Sequence, residues 1–160
     1  MITFKGQEIK TNGAIPEVGD PAPDFTESNL KGEKKSLADF KGQPVLLSIL
    51  PDLSGETCQK QTLTFGKESK TGYQLVTATT NTADTVQAFL KKHDLTDLEV
   101  LVEAAELGKA YGLYIEGKDI LARSVFVLDG DGKITYREIV EEMSETPDFE
   151  AALEAVHQLI

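Results

Sequence analysis

The stretch Val45-Leu46-Leu47-Ser48-Ile49-Leu50-Pro51-Asp52-Leu53-Ser54-Gly55-Glu56-Thr57-Cys58 decides the fold. Its first six residues are almost continuously apolar, the mark of a strand covered on both faces. Pro51 has no N–H to give to a sheet ladder, so the strand must end there. Residues 51–55 then form a loop, and a helix opens near Glu56–Cys58. A doubly covered strand feeding a helix is the unit of an α/β protein.

The pattern continues on both sides of this unit. Downstream, residues 73–78 read as a second strand, and residues 82–93 as an amphipathic helix with Val86, Phe89 and Leu90 on its buried side. Residues 98–102 give a third strand and residues 104–111 a short helix. Residues 124–128 and 134–140 flank Asp129-Gly130-Asp131-Gly132, the turn chemistry of a β-hairpin. Thr146 as N-cap and Pro147 in the first turn open a last helix, with Phe149, Ala152, Leu153, Val156 and Leu159 facing inward. Upstream, residues 2–9 read as two short strands around a turn at Gly6. Residues 16–24 hold three of the six prolines and are expected to be extended. Ser36 to Phe40 is a short helical turn closed by Gly42. The sum is one α/β domain over residues 1–160, with a mixed central sheet flanked by helices.

The composition excludes several classes of function. Lys and Arg number 16 against 27 Asp and Glu, a net charge of −11, which repels nucleic acids and anionic membranes. No stretch approaches the roughly 20 apolar residues of a membrane span, and the first 30 residues lack the apolar core of a secretory signal. A single cysteine forbids an internal disulfide and fits a reducing, cytoplasmic setting.

Few residues are placed to do chemistry. Asp129 and Asp131 sit in a turn that Lys133 ends, without the distal Glu of a calcium loop. His93 and His157 end amphipathic helices, where a cation is favoured, and belong to no local ligand or triad pattern. Cys58 is different. At the first turn of a helix, the free N–H groups and the positive dipole end favour charge on sulfur.

At these residues the chain resembles the thiol peroxidase branch of the peroxiredoxins. The resemblance rests on Pro51 with Cys58 seven residues on, Leu121-Ala122-Arg123-Ser124-Val125-Phe126-Val127-Leu128-Asp129, Glu145 to Leu153, and Val18-Gly19-Asp20-Pro21-Ala22-Pro23-Asp24-Phe25. It covers nearly the whole chain in order. It implies a thioredoxin-like (peroxiredoxin) fold with an N-terminal β-hairpin, a homodimer, and reduction of hydrogen peroxide or organic hydroperoxides by a cysteine without cofactor. Carried over, Cys58 is the peroxidatic cysteine, Pro51 the proline that shields it, and Arg123 the activating arginine.

Magnitudes show why an arginine is needed. A free thiol of pKa about 8.5 is only about 3% ionised at pH 7. Lowering such a pKa to about 6 takes roughly 3.4 kcal/mol. A helix N-terminus supplies about 0.3–1 kcal/mol, at most about 2. A charged hydrogen bond, worth roughly 1.5–3 kcal/mol, closes the gap.

The chain departs from the family pattern twice. Gly55 stands where the motif carries a threonine, so Ser54 and Thr57 become the candidate hydroxyls for positioning peroxide. Asp52 and Glu56 add negative charge that opposes Arg123. Leu90 stands where the resolving cysteine belongs, so a sulfenic acid on Cys58 must meet an external thiol, a protein partner or Cys58 of another chain. A one-cysteine thiol peroxidase is therefore expected. The alternative is a redox-sensing or non-catalytic descendant that keeps Cys58 without turnover.

Overall fold

The computed structural model describes residues 2–68 and 70–160. In chain order the strands and helices are Ile2–Phe4 (β1), Gln7–Ile9 (β2), Thr26–Asn29 (β3), Lys34–Ser36 (β4), Val45–Ile49 (β5), Glu56–Gly66 (α1), Gln74–Ala78 (β6) and Ala83–Lys92 (α2). They continue with Glu99–Val102 (β7), Ala105–Ala110 (α3), Tyr114–Ile115 (β8), Ile120–Leu121 (β9), Ser124–Leu128 (β10), Ile134–Ile139 (β11) and Phe149–His157 (α4). A 3-10 turn spans Leu37–Phe40, and Gly42 follows it at φ 101°.

The described residues form a seven-stranded sheet in the order β11-β10-β5-β6-β7-β3-β4. Its centre, β5-β6-β7, is parallel, and the strands on either side run antiparallel. All five residues of β5 are buried, as expected of a strand covered on both faces. Strand alternation divides the run between two cores. Leu47 and Ile49 join Val76, Leu101 and Phe126 on one face, with Leu107 and Tyr111 of the α3 region over them. Leu46 and Leu50 join Leu75, Val100 and Val125 on the other, under Phe65 of α1, Val86 and Leu90 of α2, and Val156 of α4. Truncating a fully buried residue such as Leu46 to alanine costs about 2–5 kcal/mol.

The sheet register places the site. β5 and β6 run parallel, so their C-terminal ends, Ile49 and Ala78, lie side by side. β10 runs back along β5 with Ser124 opposite Ile49. Arg123 is thereby delivered to the edge where β5 gives way to Pro51. A separation of 65 residues in sequence becomes adjacency in space.

Some local readings need correcting. The last helix is capped by Asp148, whose Oδ1 accepts the Ala151 N–H at 3.0 Å, and not by Thr146. Aspartate is at least as good a cap as threonine, and Pro147 then precedes the cap instead of filling the first turn. Residues 16–24 contain no helix, but they are not extended throughout. They turn at Gly19, φ 97°, held by Asp20 N–H to the Glu17 carbonyl at 3.0 Å. Two antiparallel pairs were not expected, β3–β4 and β8–β9. The N-terminal hairpin is present, turning through Lys5 and Gly6 at φ 50° and 83°. Left-handed values at both central residues are the hallmark of the two-residue turn that matches strand twist.

Candidate active site

Cys58 is the third residue of α1 and is 3% exposed. The N-cap is Gly55, which offers no side chain, so the amides of the first turn remain open to an anion. Two donors point at the sulfur. The Asp52 N–H donates to Sγ at 3.4 Å, and Arg123 Nη1 donates to it at 3.3 Å.

Arg123 is held on every side. Nη1 also donates to Gln61 Oε1 at 3.0 Å, while Nε and Nη2 donate to the Met143 carbonyl at 3.0 and 2.8 Å. Gln61 in turn donates to Ser48 Oγ at 2.8 Å, which fixes its amide to β5. Arg123 is 3% exposed, yet among the described residues no carboxylate lies within ion-pairing distance of it. A buried cation without an anion is costly. The Cys58 sulfur is the one bonded partner that can become an anion.

The loop from Pro51 is braced by Asn81 at the end of β6. Its Oδ1 accepts the Leu53 N–H at 2.7 Å and its Nδ2 donates to Asp52 Oδ1 at 3.1 Å. Burial opposes ionisation of Asp52, but hydrogen bonds from Ser54 N–H, Asn81 and Ser54 Oγ outweigh it and hold the carboxyl below its ordinary range. The charge of Asp52 is thus turned toward Ser54 and Asn81, and its backbone N–H serves the sulfur. Ser54 Oγ donates to Asp52 Oδ1 at 2.9 Å, and Thr57 Oγ1 donates to the Ser144 carbonyl at 2.9 Å. Neither hydroxyl has a hydrogen bond to Sγ. Gly55 supplies none.

A cavity of about 510 Å³ opens over the sulfur. Pro51, Asp52 and residues 54–58 line it, together with Arg123, Ile120, Phe4, Lys5, Met143 and Ser144. Phe4 is 44% exposed. Among the described residues no group of three or more His, Cys, Asp or Glu could hold a metal ion. No described helix is long and apolar enough to cross a membrane. His93 packs at a tilt against Phe89 and His157 edge-on against Tyr73, and neither lines this cavity. Leu90, 1% exposed, is part of the core under α2.

Reading the sequence missed Gln61, Asn81 and Met143. Gln61 had a signal, since it lies three residues after Cys58 and therefore on the same face of a helix. Met143 acts through a backbone carbonyl, which no residue type announces.

The family model Redoxin matches residues 17–153. The thiol peroxidase of Bacillus subtilis is 37% identical over 163 residues, covering 99% of this chain and 98% of that protein. The thiol peroxidase of Staphylococcus aureus (strain MRSA252) is 37% identical over 157 residues, 96% of both chains. Among solved structures, a peroxiredoxin-like protein from Aquifex aeolicus superposes with a TM-score of 0.92 at 25% identity, covering 99% of this chain and 96% of that one. Thiol peroxidase from Chromobacterium violaceum, at 16% identity and TM-score 0.85, shows the same fold. With its thioredoxin-like sheet, its buried cysteine and these relatives, the chain belongs to the redoxin family and is a homologue of the bacterial thiol peroxidases.

Proposed function

We propose that the chain is a one-cysteine thiol peroxidase with Cys58 as nucleophile, Arg123 as electrostatic activator and Pro51 as the wall that keeps water from the sulfur. The observation that carries the reading is Arg123 Nη1 at 3.3 Å from Sγ, on a buried guanidinium with no carboxylate partner among the described residues. Ionised sulfur supplies the missing counter-charge, at a helix end that favours it.

The thiolate attacks the nearer peroxide oxygen. The S–O bond forms as the O–O bond breaks, and the second oxygen leaves as alkoxide or hydroxide and takes a proton from solvent. Arg123 and the Asp52 N–H, already aimed at the sulfur, stabilise the charge while it spreads over sulfur and both oxygens. The product is a sulfenic acid. An external thiol condenses with it, releasing water and leaving a mixed disulfide, and a second thiol frees Cys58. With Leu90 in the core under α2, no internal disulfide enters this cycle. The reading includes a single catalytic domain, a homodimer and a reducing, cytoplasmic setting, supported by the one cysteine and by the thiol peroxidase relatives.

A redox sensor is the second reading. It is favoured by Gly55 and by the hydroxyls of Ser54 and Thr57 bonding elsewhere. Mixing reduced protein with stoichiometric peroxide, trapping sulfenate and weighing the intact chain tests the nucleophile. Supplying excess small thiol then separates the two readings. A peroxidase consumes peroxide over many cycles; a sensor stops after one equivalent. Oxidation of Cys58 no faster than that of an ordinary thiol rejects the enzyme.

A further inference from the structure

We infer that Glu142 is a positioning residue of the Cys58 site, locking the N-terminal hairpin to the Met143–Ser144 segment and thereby setting both a wall of the cavity and the orientation of Arg123. The inference rests on the peroxidase reading and deepens it.

Donors from opposite ends of the chain converge on this one carboxylate. Oε1 accepts Thr3 Oγ1 at 3.0 Å and the Gly6 N–H at 2.9 Å. Oε2 accepts the Lys5 N–H at 3.0 Å, the Ser144 N–H at 2.9 Å and Ser144 Oγ at 2.5 Å. These bonds, led by those from Ser144 and Gly6, hold the carboxyl far below its ordinary range, so it stays ionised wherever the protein works. The left-handed Lys5-Gly6 turn is what aims two successive N–H groups at the same acid. Main-chain bonds run beside it, Thr3 N–H to the Glu141 carbonyl and Met143 N–H to the Thr3 carbonyl at 2.8 Å.

Each side of the lock reaches the site. On the hairpin side, Phe4 and Lys5 line the cavity. On the other, the Met143 carbonyl takes two of Arg123's N–H groups, and the Ser144 carbonyl takes the hydroxyl of Thr57, the residue before Cys58. Glu142 thus stands one bond network away from the sulfur on two routes. Glutamine cannot replace it. Whichever way its amide turns, an NH₂ group faces donors that need an acceptor.

The test uses reduced full-length protein, Glu142→Gln and the milder Ser144→Ala. Cys58 oxidation is timed with hydrogen peroxide and with cumene hydroperoxide, and folding is monitored by circular dichroism. Glu142→Gln is expected to slow oxidation by hydrogen peroxide about tenfold through misplaced Arg123. It slows oxidation by cumene hydroperoxide further, because the hairpin wall moves too. Ser144→Ala shifts both rates the same way by less. A folded Glu142→Gln protein with wild-type rates for both peroxides overturns the inference, whatever its melting temperature. Should Glu142→Gln fail to fold, unchanged rates in Ser144→Ala overturn it instead. Slow oxidation of the wild type rejects the peroxidase reading alone. Glu142 is then judged by iodoacetamide alkylation of the sulfur at neutral pH, slower in Glu142→Gln if the coupling exists and equal if it does not.

Discussion

Arg123 and Tyr111 are both buried polar side chains, at 3% and 0% exposure, and their surroundings could hardly differ more. Arg123 bonds to Sγ, to Gln61 and twice to the Met143 carbonyl. The Tyr111 hydroxyl has no partner among the described residues, and its ring packs edge-on against Phe126 with centroids 5.5 Å apart. Burial there pushes the phenol well above its ordinary range, so it stays neutral. Tyr111 is retained for its packing, and its hydroxyl is a net cost. Arg123 is retained with each of its three nitrogens hydrogen-bonded and its charge unanswered, except by one sulfur. A fold tolerates the first for stability. The second makes sense as preparation for an anion.

Breaking the Arg123 side should have the largest effect. Arg123→Leu removes a charged hydrogen bond worth roughly 1.5–3 kcal/mol, so the rate of Cys58 oxidation falls about 10- to 100-fold. Stopped-flow mixing with peroxide reads it directly. A comparable loss from Arg123→Lys, which keeps the charge but not the planar fork, would show that multi-donor geometry matters as well as charge.

Sharpening the same side is possible at Gly55. A Cβ there meets only the Asp52 carbonyl at 3.5 Å, and φ −85°, ψ 146° suits any residue. Gly55→Thr adds a hydroxyl to the loop at the N-cap of α1. The expected result is faster oxidation of Cys58, by about tenfold for one more hydrogen bond of about 1 kcal/mol or slightly above. No gain would mean that the Asp52 N–H and Arg123 already suffice.

The Tyr111 side predicts the opposite kind of outcome. Tyr111→Phe deletes an unsatisfied hydroxyl and keeps the ring, so stability should hold or rise by up to about 1 kcal/mol. Peroxide chemistry should not change. A loss of stability in thermal or denaturant unfolding would reveal a hydrogen-bond partner for the hydroxyl.

Glu27 gives the smallest effect and one with a definite sign. It is 7% exposed and accepts the Leu107 N–H of α3 at 2.8 Å. Desolvation raises its pKa above 4.5, against the lowering by that bond, with Glu106 adding repulsion. The folded state therefore binds the proton more tightly than the unfolded chain. This contribution to stability is complete below the unfolded pKa and is lost as pH climbs through the folded one. The difference in unfolding free energy between wild type and Glu27→Gln, measured from acid to neutral pH, should therefore shift in the variant's favour as pH rises through the raised Glu27 pKa.

These residues also show what the sequence could reveal. The apolar run 45–50 announced the central strand because period and length together admit little else. Cys58 stood out because a proline loop and a helix start flank it. Arg123 was located only through resemblance, since its pairing with Cys58 depends on the antiparallel register of β10 on β5. Gln61 looked like any helical glutamine, and Glu142 like one more acid in an acidic chain. Their roles come from what folding brings to them. β3 and β4 were missed because Thr26–Asn29 and Lys34–Ser36 are polar: β4 is the edge strand, and β3 beside it alternates by burying Glu27 and Asn29, which no apolar pattern announces.

The most direct measurement is the time course of iodoacetamide alkylation of the Cys58 sulfur at neutral pH, in wild type and in Arg123→Leu. The wild-type sulfur is expected to react about tenfold faster or more, since the variant lacks the charged hydrogen bond from Arg123, worth roughly 1.5–3 kcal/mol. Superimposable curves from the two proteins would contradict it.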